Sequence, residues 1–179
     1  MTKAKIRKKA LELRRNVRER SEKDKEIFLR LTETQIYKEA KTIMTYISYN
    51  GEVDTRCLID KMLKDQKTLC APKCVDTHNI EARKFINESE LETGAYGILE
   101  PTGKKISDID LIIVPGVAFN GRLHRIGYGA GYYDRFLKKS NAVTCGLFYE
   151  IQRADFLEEQ EDISLDYIIT EKSIYEKGR

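Results

Sequence analysis

Histidine is almost missing from this chain: His78 and His124 are the only two in 179 residues. A histidine triad or proton relay would have to use one of them. Cysteine is sparse as well, and Cys70-x-x-x-Cys74 has no second Cys or His pair at zinc spacing. Cys57, Cys70, Cys74 and Cys145 therefore read as free, mostly buried thiols rather than metal ligands. No apolar run approaches the length of a membrane span, and the basic N-terminal stretch has no apolar signal-peptide core. The expectations are no membrane partner and a cytoplasmic location. A net charge of +3 is too small by itself to argue for nucleic acid. Internal repeats, low-complexity tracts and linkers are lacking too, so residues 1–179 read as a single domain.

What charge there is lies unevenly. Residues 1–20 hold nine Lys/Arg against two Glu, a local +7, so the rest of the chain sums to −4. A nucleic-acid role for the basic segment is disfavoured by that negative remainder and by the lack of a recognised motif. Ile6, Ala10, Leu13 and Val17 recur at the spacing of a helix's buried stripe, with Lys3, Arg7, Arg14 and Arg18 on the ridge beside it. Ser21-x-x-Asp24 can cap a second helix to about residue 40, and Asp54 a third through about Gln66. Apolar strands are expected at 42–48, 67–71, 82–86, 111–115, 142–148 and 167–170, with a helix starting at Tyr132. Helices alternating with short strands indicate an α/β domain with a mainly parallel sheet. Ligands of such sheets sit beyond the carboxyl ends of the strands, where Glu52, Lys73 and the segment after residue 115 would converge.

The most informative segment is Arg125-Ile-Gly-Tyr-Gly-Ala-Gly-Tyr-Tyr-Asp-Arg135. Gly127, Gly129 and Gly131 bare the backbone between an apolar strand and a helix start, as a phosphate cradle requires. Arg125 adds a cation and Asp134 a candidate magnesium ligand. The glycine spacing is not that of G-x-G-x-x-G, and the Gly-Lys-Ser/Thr ending of a Walker A loop is absent. Three glycines alone favour a positive-φ turn with tyrosines packed beneath it; the flanking Arg, Asp and paired tyrosines reverse that and favour the nucleotide-phosphate site.

In order along nearly the whole chain, several blocks resemble the 5-formyltetrahydrofolate cyclo-ligase (methenyltetrahydrofolate synthetase) family. They are Lys3-x-x-x-Arg7, Ser48-Tyr-Asn-Gly-Glu-Val-Asp-Thr55, Ala71-Pro-Lys73, Gly97-Ile-Leu-Glu-Pro101, Val114-Pro-Gly-Val-Ala-Phe119, the glycine segment, Gln152, and Glu161-Asp162 with Leu165-Asp-Tyr-Ile-Ile-Thr170. Three positions depart from the family pattern: Asn120 stands where Asp is frequent, Leu123-His124 where a glycine precedes the Arg step, and Ala130 where glycine or lysine is found.

The resemblance implies a three-layer α/β/α domain and the ATP- and magnesium-dependent closure of 5-formyltetrahydrofolate to 5,10-methenyltetrahydrofolate. Residue by residue, it implies that Lys3, Arg7, Arg125, Gly127, Tyr128, Gly129, Ala130, Gly131 and Tyr133 hold ATP. Ile47, Glu52, Tyr128 and Tyr132 would meet the folate, with Glu52 taking the N–H donors of the pterin edge. Asp134 and Asp162 would anchor Mg2+, and Arg125, Tyr132 and Asp134 would stand at the reacting centre. The partners implied are these two small molecules, with the protein a monomer or weak dimer.

Overall fold

The computed structural model describes residues 2–178. In chain order the elements are α1 (Lys3–Arg15), α2 (Arg20–Glu33), α3 (Gln35–Glu39), β1 (Thr42–Met44), α4 (Arg56–Lys64), β2 (Thr68–Cys74), β3 (Ile80–Lys84), β4 (Leu91–Thr93) and β5 (Leu99–Pro101). They continue with β6 (Leu111–Val114), β7 (Ala118–Phe119), β8 (Arg125–Ile126), α5 (Tyr132–Leu137), β9 (Val143–Leu147), β10 (Tyr167–Ile169) and β11 (Ile174–Glu176).

Seven strands form one sheet in the order β11-β10-β9-β6-β1-β2-β3. The five inner strands pair in parallel, while β3 and β11 close the two edges antiparallel. Inner strands of this kind are covered on both faces and read as continuous apolar runs, and their period of two divides each run between two cores. Ile43, Leu69, Leu111, Ile113 and Ile169 enter a core shared with Ile27 and Leu31 of α2, Tyr37 of α3 and Leu58 and Met62 of α4. Their neighbours Met44, Cys70, Ile112, Val114 and Ile168 enter the opposite core with Leu137 of α5 and Phe119. Helix, sheet and helix make the three layers the resemblance implied.

Several boundaries differ from the sequence reading. Ser21 lies inside α2 rather than capping it, because Glu19 takes the left-handed conformation one step earlier. The segment to residue 40 is broken at Thr34, whose hydroxyl accepts from the Tyr37 N–H and starts α3 as a new helix. α1 ends at Arg15, so Val17 and Arg18 lie past it. The glycine segment does not follow the strand at 111–115 directly: the β7–β8 hairpin intervenes, and the loop leaves from β8. Of the thiols, Cys70 and Cys145 are buried but Cys57 is exposed.

The three departures from the family pattern have physical consequences. Leu123 adopts φ +61°, a left-handed conformation that glycine takes freely and a branched side chain does not. The buried Asn120 accepts from the N–H groups of Arg122 and His124, both at 3.0 Å, and donates to the Phe156 carbonyl at 3.1 Å. An ionised aspartate could not make that last bond. Ala130 is unstrained, because the positive φ values fall on Gly129 (+112°) and Gly131 (+69°) either side of it.

Candidate functional site

Strand order reverses between β1 and β6, each flanked on its far side by the next strand of its own half. The chain segments leaving such a switch point diverge and open a crevice. Here a cleft of about 760 Å³ lies at that edge, within the usual size for a small-molecule site. Every residue given a role through the resemblance lines it: Lys3, Arg7, Ile47, Glu52, Arg125, the loop from Gly127 to Gly131, Tyr132, Tyr133, Asp134 and Asp162. Lys73 does not; it pairs with Glu92 at 2.5 Å. His124 is also outside the lining, half-buried and held by its own N–H to Asn120.

The glycine loop is tied by its carbonyls. Arg7 donates to the Gly127 carbonyl at 2.8 Å and Arg135 to that of Ala130 at 2.6 Å. Among the described residues, none accepts a hydrogen bond from the backbone N–H groups of Tyr128 to Gly131. Those donors are open to an anion, which is what a phosphate cradle needs. α5 contributes less than the sequence suggested: it is six residues long, too short for a strong dipole.

Charge in the cleft is arranged in pairs. The Arg125 side chain is only 3% exposed, and its Nη1 lies 3.2 Å from Asp134 Oδ1. Burial lowers the guanidinium's pKa, with Asp134 acting against that shift. Asp134 also accepts from the Ile163 N–H at 3.2 Å. Lys3, at the start of α1, bonds Asp162 at 2.5 Å and lies 3.4 Å from Glu159. Burial works against ionisation of Asp162, but the Lys3 ammonium and the Glu159 N–H outweigh it and hold the carboxyl below its usual range. The two expected metal ligands are thus each engaged by a cation expected to meet phosphate.

Among the described residues, no group of three or more His, Cys, Asp or Glu is placed to hold a metal ion. Two carboxylates beside a phosphate cradle nevertheless suit Mg2+, which keeps waters and takes substrate phosphate oxygens instead of a full protein cage. The donor set fits that ion.

On the other wall, Glu52 is buried and accepts from the Tyr49 N–H at 2.9 Å and the Tyr128 hydroxyl at 3.1 Å. Burial raises its pKa, opposed by the Tyr49 N–H, by Arg14 and by Tyr128. Tyr128, pushed up to about 12 mainly by burial, keeps its proton and donates. Tyr132 is pushed up to about 12 chiefly by its hydrogen bond with Tyr96, whose ring packs edge-on at 6.5 Å. The Tyr133 hydroxyl is buried and has no hydrogen-bond partner among the described residues, although the residue itself lines the cleft.

Sequence reasoning missed Tyr49, Tyr96, Ile98 and Leu99, which extend the apolar wall, and the buried carboxylate of Glu100. It also missed Arg14, whose signal was its place on one helical ridge with Lys3 and Arg7.

Comparison with known proteins gives one answer. Residues 1–171 match the model of the 5-formyltetrahydrofolate cyclo-ligase family. A probable 5-formyltetrahydrofolate cyclo-ligase of Schizosaccharomyces pombe is 41% identical over 58% of this chain, a match that spans 54% of that relative's length. The 5-formyltetrahydrofolate cyclo-ligase of Mycoplasma genitalium is 35% identical over 72% of each chain. The solution structure of 5,10-methenyltetrahydrofolate synthetase from Aquifex aeolicus superposes with a TM-score of 0.89 at 33% identity, covering 100% of this chain and 94% of its own.

Proposed function

This chain belongs to the 5-formyltetrahydrofolate cyclo-ligase family, and from that premise we propose that it converts 5-formyltetrahydrofolate to 5,10-methenyltetrahydrofolate, consuming ATP with magnesium and releasing ADP and phosphate. The observation that carries the reading is one cleft in which an amide-lined glycine loop with Arg125 faces a buried carboxylate, Glu52.

The chemistry accounts for that pairing. The N10 amine can attack the neighbouring N5-formyl carbon, but the oxygen must then leave, and hydroxide is a poor leaving group. Transfer of the γ-phosphoryl group to the formyl oxygen gives an imidate-like phosphate and ADP. N10 then attacks the activated carbon and gives up its proton, the C–O bond breaks, and inorganic phosphate departs with the oxygen and takes that proton. Positioning and charge neutralisation suffice for such a sequence.

Glu52 accepts the pterin's N–H donors and fixes the ring, while Ile47, Tyr128 and Tyr132 supply apolar and stacking surface. The loop N–H groups and Arg125 receive the phosphates, with Tyr133 in the lining beside them. Lys3 and Arg7 close over the phosphates from α1, Lys3 exchanging Asp162 for a phosphate oxygen. Asp134 and Asp162 would hold Mg2+, which neutralises charge on the phosphate oxygens.

A coupled assay tests the reading: ADP should appear only when 5-formyltetrahydrofolate and magnesium are both present, in step with an absorbing methenyl product. ADP release indifferent to the folate overturns it.

A further inference from the structure

α1 lines the cleft with Lys3 and Arg7 at its first end, while at its second end Arg14 touches a cleft residue, Tyr128, in contacts that have no place in the mechanism above. Arg14 is 1% exposed. Its Nη1 donates to the Gly116 carbonyl at 3.1 Å, and its Nη2 to the Asn50 carbonyl at 2.9 Å and the Tyr128 hydroxyl at 2.6 Å. The same Tyr128 hydroxyl donates to Glu52 at 3.1 Å. We propose that Arg14 is a positioning residue for folate recognition, holding Tyr128 against Glu52 and so fixing the carboxylate that meets the pterin. The proposal rests on the folate reading of Glu52.

Burying a guanidinium is costly unless its charge is met. Among the described residues no carboxylate lies within ion-pair distance of Arg14; the nearest link to one runs through the Tyr128 hydroxyl. Two of its bonds go to backbone carbonyls and the Nε has no partner among the described residues, whereas the third goes to the one neighbour that itself reaches a carboxylate. The third bond turns the phenol so that its lone pair faces the cation and its proton faces Glu52. The guanidinium also lies 5.7 Å from the centre of the Tyr128 ring, which limits swinging of a side chain that is 45% exposed to the cleft. Glu52 is faced by Tyr46 from the segment after β1, by Tyr133 from α5, by Tyr128 from the loop and by Arg14 from α1. Of these four only Arg14 is charged at neutral pH. Its field therefore opposes the effect of burial on Glu52.

The test is a calorimetric titration of the full chain with 5-formyltetrahydrofolate across the acidic-to-neutral range. The variants are Arg14→Lys, Arg14→Gln, Tyr128→Phe and the double variant Arg14→Gln/Tyr128→Phe. Arg14→Gln should weaken binding roughly tenfold or more, the loss of a charge-assisted bond. It should also move the acid limb of the affinity profile to higher pH, because Glu52 loses the cation that favours its ionised form. Arg14→Lys keeps the charge and should keep that limb in place while losing part of the affinity. The double variant should lose less than the product of the single effects, since both act through one contact.

A lower binding stoichiometry with unchanged affinity and pH profile would make Arg14 a structural tie only and overturn the proposal, as would independent, multiplying effects. If Arg14→Gln does not fold, the cycle of Arg14→Lys with Tyr128→Phe decides by the same criterion. Wild-type protein that does not bind the folate overturns the Glu52 reading and this proposal together. Binding by wild type with indifferent Arg14 variants overturns this proposal alone.

Discussion

Asp134 balances Arg125 and is proposed to hold magnesium beside the phosphates, and its replacement separates the observed role from the proposed one. Asp134→Asn keeps an oxygen for the Ile163 N–H but leaves the buried Arg125 charge without its partner. The ligand-free fold should lose about 1–3 kcal/mol, read by chemical denaturation. If the residue also holds magnesium, turnover should fall and half-saturation move to higher magnesium; an unchanged magnesium curve would leave it only the structural duty. Glu52 gives a pH prediction. Its pKa is raised, chiefly by burial, so the ionised form proposed to bind the pterin is lost on acidification above the ordinary carboxylate range. Folate affinity should rise with pH through that window. Over the same window Glu52's contribution to ligand-free stability falls, since the folded chain there binds more protons than the unfolded one. Glu52→Gln should bind folate weakly and without this pH limb, with ATP affinity nearly intact. At Leu123 the test is a comparison: both Leu123→Ala and Leu123→Gly delete the buried side chain, but only alanine keeps the left-handed strain of about 1–2 kcal/mol. The glycine variant should therefore be at least as stable as the alanine variant, reversing their usual order.

Among the elements, α1 shows how far the sequence could be read. The stripe of Ile6 and Ala10 was legible because a helix's buried face repeats in a fixed period, and both residues are buried. The fate of the adjacent ridge was not, because Lys3, Arg7 and Arg14 share a spacing while they meet Asp162, Gly127 and Gly116, 159, 120 and 102 residues away along the chain. Inner strands were visible as apolar runs; β7, β8 and β11 were not, since two or three residues carry too little pattern. The cleft itself was foreseen through the order of motifs, yet the crossing pairs Lys3–Asp162 and Arg125–Asp134 and the relay from Arg14 exist only in three dimensions. Deleting residues 2–8 should remove Lys3, Arg7 and the buried Ile6 together. The apparent KM for ATP should rise roughly tenfold or more, well beyond the change for folate, since the deletion leaves Arg14 and the residues proposed to meet the folate in the chain. Stability should fall by about 1.5–3 kcal/mol for the lost Ile6 burial. Unaltered ATP saturation would make the basic turn mere surface charge.

Across the whole molecule the long reach of α1 has a consequence for biosynthesis. Its buried face rests on Val117, Ala118, Ile126 and Phe156, and Arg14 and Lys3 find partners 102 and 159 residues downstream. Translation at about 5–20 residues per second puts roughly 5–30 s between the appearance of the helix and that of its seat. Through that interval a basic, amphipathic segment waits at the ribosome's exit with no surface to cover it. Chains stalled before Phe156 has emerged should be cut by trypsin within residues 3–15, and chains released at full length should resist; early protection would show that α1 finds another seat first. α1 is thus made well before the segments it rests on, and Lys3 can take its place in the cleft only after Asp162 has emerged.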